Sequence, residues 1–500
     1  MNMLEVRKTE ATPESFQRAQ KIKRTALNTV IIAVLSIALA VVVRFATLSD
    51  ENVADAVLRG DPVLQIVILS LIIGIILSTL IAYTFYVKRD ADRSVTAKLV
   101  PVLAVAVFIT FLLAFIFGTT VSLYVSPLAL CSLLVATLVD KRVGIVTNIL
   151  LTQTFFLTYV LVYGSENAVD SSAALVTSMV ASIFLIMFLD KAHNRLKFTA
   201  VGLAVGVCTA ALPMLINFLV DENATSQILM SGLWSFVSIV LSVALFMIIL
   251  PFLEYLFRLN TPFRLAELCS LENPLLKRLA KEAPGTFNHS MVVGNLAELC
   301  ADAIGENTQL AKVCAYYHDV GKMKNALYFI ENQKGYNPHD DVIPEVSVAM
   351  IVSHVTEGYQ MIKRERLPDE VADCALQHHG TTPVNYFLYK AQNFTEDNLD
   401  KKEYSYPGPK PRTKIAAIIM IADTVEAASR ALSEKINSPA AFREMVHGMI
   451  KQKADLDQFT ECPITYKDLD VIEDTLVQAI PSMYHARIQY NNNPKQDKDA

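Results

Sequence analysis

Residues 26 to 257 are almost continuously apolar. A soluble domain needs a polar face on every element it exposes, so a stretch of this kind belongs in a bilayer. A helix of about 20 apolar residues crosses the hydrocarbon core. By that length the stretch divides into eight runs, at 26–46, 63–87, 99–118, 120–139, 142–163, 171–189, 198–220 and 228–257. The joints on either side of 120–139 are tight, which leaves the count open by one. The expected organisation is a cytoplasmic segment at 1–25, a transmembrane bundle of about eight helices at 26–257, a soluble domain at 262–490 and a disordered tail at 491–500.

Loop charge orients the bundle. Arg7, Lys8, Arg18, Lys21, Lys23 and Arg24 precede the first run, and Lys88, Arg89, Arg93 and Lys98 follow the second. Lys141 and Arg142 follow the fourth, and Lys191, Arg195 and Lys197 follow the sixth. The intervening loops are acidic or neutral. The positive-inside rule then places the N-terminus in the cytoplasm, and eight crossings return the C-terminal half to the same side. The expected location is a plasma membrane, crossed several times, with the C-terminal half in the cytoplasm. Transport is disfavoured, because the run centres carry no ionisable residue. Asn148, Gln153 and Asn217 are polar there, and hydrogen bonds between helices account for them. The bundle reads as an anchor or sensor.

Hydrophobic residues make up 53% of the chain and charged ones 19%, with a formal net charge of −5. Nothing in that balance points to nucleic acid as a partner. The seven cysteines show no C-x-x-C spacing, which suits a reducing compartment. There is no small-residue cleavage site after the first run, so it reads as an anchor.

The soluble half reads as all helix. Helical spacing and Pro starts mark 344–366 and 368–379. An apolar helix is expected over 413–432, with two more over 439–454 and 466–480, while the polar, Pro-rich stretch 393–412 reads as a loop. The fold class is all-α: a polytopic transmembrane bundle followed by a cytoplasmic all-helical domain.

Of nine histidines, His289, His318, His354, His378 and His379 fall within 91 residues. One lone histidine is usually a surface or core residue; five in one small helical domain, with Asp319 beside His318, suggest a metal site. Asp423 sits in the apolar stretch "IIMIADTVEAA". A buried acid needs a partner, and a cation is the natural one. Five imidazoles, Asp423 and a bridging Asp319 would hold two octahedral ions and leave room for a bridging hydroxide and substrate oxygens. Nitrogen and carboxylate ligands without thiolate favour Fe or Mn.

The segments "FNHSMVVGNLAE", "YYHDVGKM", "SHVTEGYQMIKRERLPDEV", "ALQHHGTTPVNYFLYKA", "YPGPKPRTKIAA" and "IADTVEAASRAL" resemble the HD-domain hydrolases of the seven-transmembrane-receptor type. These are bacterial membrane phosphodiesterases of cyclic di-AMP, the PgpH type. The resemblance implies a membrane-anchored hydrolase that opens cyclic di-AMP to 5′-pApA with two divalent transition-metal ions. It implies His289, His318 and Asp423 on one ion, His354, His378 and His379 on the other, and Asp319 between them. Lys322 is implied as the phosphate contact. Arg430, two turns after Asp423, is a further candidate for phosphate, weighed against an exposed salt bridge. Tyr386, Tyr389, Tyr404 and Tyr406 are candidates for base stacking, weighed against packing. A cyclic dinucleotide and the lipid bilayer are the implied partners, and a homo-oligomer is compatible with both.

Two features depart from the family pattern. Family members carry a large extracytoplasmic domain after the first span, and the interval 47–62 here is too short for one. Asn288 stands where a second His often precedes the metal-binding His. The alternatives are a cyclic di-GMP or other nucleotide phosphohydrolase, against which stands the lack of "GYP" after the paired histidines. A non-catalytic membrane receptor that binds nucleotide through its HD domain is the alternative of another class.

Overall fold

The computed structural model describes residues 62–88, 93–163, 168–189, 195–220, 225–393, 399–432 and 439–483, with scattered positions between 30 and 41. The expected span at 26–46 lies largely outside the described residues, and the segments 1–25 and 491–500 lie wholly outside them. The chain forms two compact units, one of Met1–Phe257 with Thr261–Phe263 and one of Arg258–Asn260 with Arg264–Ala500. Every regular element among the described residues is helical.

In the first unit, α1 (Pro62–Val87), α2 (Arg93–Thr120), α3 (Ala129–Leu138), α4 (Lys141–Tyr163), α5 (Ala168–Phe188), α6 (Arg195–Val220) and α7 (Thr225–Phe257) follow one another. Among the described residues, six helices are long and apolar enough to cross a membrane. They correspond to six of the expected runs.

The run 120–139 differs. It is a 3₁₀ turn at Leu123–Val125, a break, and the ten-residue α3. Pro127 explains the break. Proline removes a backbone donor and drives the preceding residue out of helical geometry. Ser126 accordingly takes φ −56°, ψ 114°. Irregular backbone survives at membrane depth only where protein groups replace water. Here Ser238 Oγ donates to the Ser126 carbonyl at 2.7 Å, and Ser126 Oγ donates to the Ala114 carbonyl at 3.1 Å. Tyr124 donates to Asp170 at 2.6 Å and accepts from Asn217 at 2.8 Å. Asn148 Nδ2 donates to the Met179 carbonyl at 3.2 Å, bridging α4 and α5. Gln153 is exposed and makes no such bridge.

α8 (Pro262–Leu268) begins in the first unit and continues from Arg264 in the second, which contains α9 (Pro274–Glu282), α10 (Pro284–Ala303), α11 (Thr308–Tyr317), α12 (Pro344–Arg364), α13 (Asp369–Gln377), α14 (Asn385–Gln392), α15 (Lys414–Leu432), α16 (Pro439–Asp455) and α17 (Tyr466–Met483). Local chemistry sets the starts. Pro274, Pro284 and Pro344 occupy first-turn positions, where the missing N–H costs nothing. Asn273 and Asn307 accept from backbone N–H groups of α9 and α11. Buried Leu279, Val293, Leu296, Ala311, Cys314, Val371, Ile418, Ile419 and Leu476 form one core. α14 was not expected from the sequence. It lies on a second small core of Val348, Phe387, Leu388, Ala391 and Tyr404.

Candidate metal centre

α10 carries His289, α12 carries His354 and α15 carries Asp423. His318 caps the C-terminal end of α11, Asp319 follows it, and His378 and His379 follow α13. Gly321 lets these pieces meet. A Cβ there would stand 1.9 Å from the His354 carbonyl oxygen, so only glycine lets the strand of chain after Asp319 lie on α12. Gly285 plays the same part at the start of α10, where a Cβ would meet the Glu331 carbonyl at 1.9 Å.

The seven ligand candidates fall into two overlapping groups, His289, His318, Asp319, Asp423 and Asp319, His354, His378, His379, each with its donor atoms mutually within 4.8 Å. Asp319 belongs to both and faces them with different oxygens. Its Oδ2 lies 3.2 Å from His318 Nε2 and 3.7 Å from His289 Nε2. Its Oδ1 lies 3.3 Å from His354 Nε2 and 3.5 Å from His378 Nε2. Asp423 stands 2.9 Å from His289 Nε2, 3.9 Å from His318 Nε2 and 3.8 Å from His379 Nδ1. His318, His378, His354 and Asp319 are essentially without solvent exposure.

The rings are aimed from behind. Nδ1 of His318, His354 and His378 donates to the carbonyls of Ala315, Ile351 and Ala375, at 2.6, 2.6 and 2.9 Å, each three residues back. With Nδ1 so engaged, Nε2 is left as the inward lone pair, the arrangement typical of metal-binding histidine. His289 donates from Nδ1 to Glu426 Oε2 at 2.5 Å.

The polar atoms of the centre fit a cation. His318 Nε2 and Asp319 Oδ1 are buried without a hydrogen-bond partner, and Asp319 Oδ2 faces the Lys322 ammonium. Burial opposes charge on Asp319 and Asp423, yet the surrounding imidazoles and Lys322 hold both carboxyls well below their usual range. Burial likewise opposes charge on His318, and the Asp319 and Asp423 carboxylates overcome it, holding its pKa up at about 10. At His378 burial wins and depresses the pKa to about 4. A group that holds carboxylates ionised, with the Nε2 atoms of His318, His354 and His378 turned towards Asp319, has the donor set of a divalent transition-metal site, where a cation would take the place of the proton on His318.

Over residues 63–261 the chain matches the model of the 7TM receptor with intracellular HD hydrolase, and over residues 286–428 that of the HD domain. The chain belongs to this family of membrane HD hydrolases. Among its relatives is the cyclic-di-AMP phosphodiesterase PgpH of Bacillus subtilis, 37% identical over 382 residues, which cover 75% of this chain and 52% of that protein. The PgpH of Listeria monocytogenes is 35% identical over 400 residues, 79% of this chain and 54% of that one. The chain therefore spans about half the length of the curated relatives it matches. A crystal structure of the Listeria PgpH HD domain in complex with cyclic-di-AMP is 47% identical, covering 44% of this chain and 100% of that one, with a TM-score of 0.41.

Within this HD domain Lys322 stands 2.7 Å from Asp319 Oδ2 and 3.1 Å from Glu331 Oε1. Burial disfavours its charge, but these two carboxylates keep it raised. Arg430 pairs with Glu426, so its guanidinium lies behind His289 through that carboxylate. Tyr406 is half-buried and stacked on His379, with centroids 4.2 Å apart. Tyr404 is buried and bonded to Glu345, while Tyr386 and Tyr389 are exposed.

Glu426 and Glu331 escaped sequence reasoning. Glu426 had a signal, since it lies three residues after Asp423 on one helix and so shares its face. Glu331 had none. It reaches the site because Asn332 Oδ1 accepts from the N–H groups of Gly285 and Thr286, docking that loop on the start of α10.

Proposed function

We propose that this chain is a metal-dependent phosphodiesterase that hydrolyses cyclic di-AMP to 5′-pApA. One observation carries the reading: the two oxygens of buried Asp319 address two separate sets of imidazole nitrogens. A carboxylate so placed suits two neighbouring cations. His289, His318 and Asp423 would hold one and His354, His378 and His379 the other, with Asp319 shared. When bound, two such ions supply Lewis acidity towards phosphate oxygens and an acidified water for in-line attack. Fe or Mn suits the donor set.

The chain's own residues do the rest. Backbone carbonyls behind His318, His354 and His378 keep Nε2 available. Lys322 adds a fixed positive charge beside Asp319 for the phosphate being cleaved. The choice of cyclic di-AMP rests on the similarity to the PgpH phosphodiesterases. The charged loops favour the HD domain on the cytoplasmic face.

The test is metal analysis and product formation from purified protein. Wild type is expected to carry close to two transition-metal ions and to convert cyclic di-AMP to 5′-pApA faster than it cleaves cyclic di-GMP at matched low concentration. Asp319→Ala is expected to lose both metal and activity. Full activity in chelator-stripped Asp319→Ala would defeat the two-ion reading. Equal or faster turnover of cyclic di-GMP would defeat the base assignment alone, and metal-loaded protein inert towards every phosphodiester would favour a receptor.

A further inference from the structure

Serine and threonine in a helix often turn their hydroxyls back onto the carbonyl one turn earlier. In the membrane unit Thr152, Thr177, Ser182 and Ser242 do so, at 2.6 to 2.8 Å. Ser171, Ser178 and Ser235 do not. Each is more than nine-tenths buried, and among the described residues none of the three Oγ atoms has a hydrogen-bond partner. A hydroxyl left in this state within a bilayer costs free energy unless something binds it.

The three serines line one cavity of the membrane unit. Ser171, Leu175 and Ser178 share a face of α5, by their helical spacing. Ser235 joins them from α7. Ser178 lies ten residues beyond Ala168, where α5 begins, and Ser235 lies ten beyond Thr225, where α7 begins. The cavity therefore reaches about 15 Å into the unit, roughly half the thickness of a hydrocarbon core.

Its chemistry narrows what it can hold. No charged side chain among the described residues lines it, and Asp170, next to Ser171, accepts from Tyr124 instead. An ion of either sign would find no counter-charge there, which excludes phosphates and nucleotides. The enclosed space is about 20 Å³, room for a polar group the size of one or two waters. Phe156 and Tyr159 of α4 belong to the same wall as Leu175, and all three are only half-buried. The wall thus runs out to the surface of the bundle between α4 and α5, where lipid would meet it.

We propose that this cavity binds an uncharged, lipid-soluble molecule, taking its hydroxyl or carbonyl head among Ser171, Ser178 and Ser235 and its apolar body along Phe156, Tyr159 and Leu175. Serine hydroxyls both donate and accept, so either head is matched. The site gives the membrane unit a ligand of its own, and it does not depend on the phosphodiesterase reading.

The experiment uses the full chain in lipid nanodiscs and an octanol that carries a photoreactive diazirine. Adducts are located by mass spectrometry, with 1-octanol and octane as competitors. Labelling is expected to saturate and to concentrate on α4 and α5. At equal concentration in the membrane, 1-octanol should compete about tenfold better than octane, the value of two ordinary hydrogen bonds to the head. Trp234, the only tryptophan in the chain, adjoins Ser235 and should report octanol binding by fluorescence at the same concentrations. The triple variant Ser171→Ala, Ser178→Ala, Ser235→Ala is expected to weaken octanol binding about tenfold without a lower melting temperature, because these hydroxyls hold no protein group. Labelling that never saturates, or that spreads evenly over the helices, would overturn the site. Octane competing as well as 1-octanol would overturn recognition of a polar head, and this comparison needs no variant. A triple variant that binds octanol like wild type would also overturn the proposal, leaving the three hydroxyls to ordered water.

Discussion

At the scale of single residues, the centre depends on groups that never touch a ligand. Glu426 is fully buried, accepts from His289 Nδ1 at 2.5 Å and carries Arg430 on its other oxygen. It fixes which nitrogen of His289 faces Asp423. Outer partners of this kind typically set metal affinity by ten- to a hundredfold. Glu426→Gln is therefore expected to weaken one of two bound ions by roughly tenfold or more, read as biphasic metal titration, while the second ion binds as before. Arg430→Ala, which leaves the Glu426–His289 bond intact, should have a smaller effect. A uniform loss at both ions would show that Glu426 acts on the whole domain and not through His289.

The histidines were legible from sequence because His is scarce in this chain and the HD pair marks where to look. Glu426, Glu331 and Tyr406 were not singled out as supports. Glutamate and tyrosine are common on helices and loops, and only the partner reveals the role. His289 lies 137 residues from Glu426, and Thr286 lies 45 from Glu331.

At the scale of elements, glycine is required at two positions for different reasons. Gly321 has an ordinary backbone conformation but no room: its absent Cβ would overlap the His354 carbonyl. Gly305 has open space but φ +75°. Gly321→Ala is expected to cost about 3 kcal/mol or to prevent accumulation, because backbone must move on both sides. Gly305→Ala should cost about 1 kcal/mol, the price of a left-handed residue. Chemical denaturation of the two variants checks the ranking, and equal effects would contradict the close-approach account. In the membrane unit, Ser238→Ala removes the hydroxyl that holds the Ser126 carbonyl at the helix break. A loss of about 0.6 kcal/mol, the usual size of such bonds in a bilayer protein, is expected in detergent unfolding.

The whole molecule is two units, and they should answer to different variables. Ligands that bind only the folded state stabilise it by mass action. Chelation is therefore expected to lower the melting transition of the HD domain and leave that of the membrane unit in place. A single transition that moves as a whole would show that the units unfold together. Loop charge makes a separate prediction for the bundle, that reporter fusions after residues 60 and 260 report opposite sides. Fusions reporting the same side would refute the eight-crossing topology.

Composition and spacing were enough to divide the chain into an apolar and a polar half, because hydropathy is additive along the sequence. Helix type followed from periodicity, and the bounds of α12, α13, α15, α16 and α17 followed from periodicity with Pro at the first two starts, signals that act within one or two turns; α8 to α11 and α14 were not bounded from sequence. Hydropathy alone could not see that 120–139 breaks at Ser126 and Pro127, since every residue around the break is apolar or small and its compensating bond comes from Ser238, 112 residues away. Nor could spacing order the ligand candidates into two groups. That order comes from the two oxygens of Asp319 pointing in different directions, and only packing of α10, α12, α13 and α15 sets those directions. The residue types of the candidate centre could be read locally; its division into two sets of nitrogens depended on side chains from distant helices sharing one buried volume.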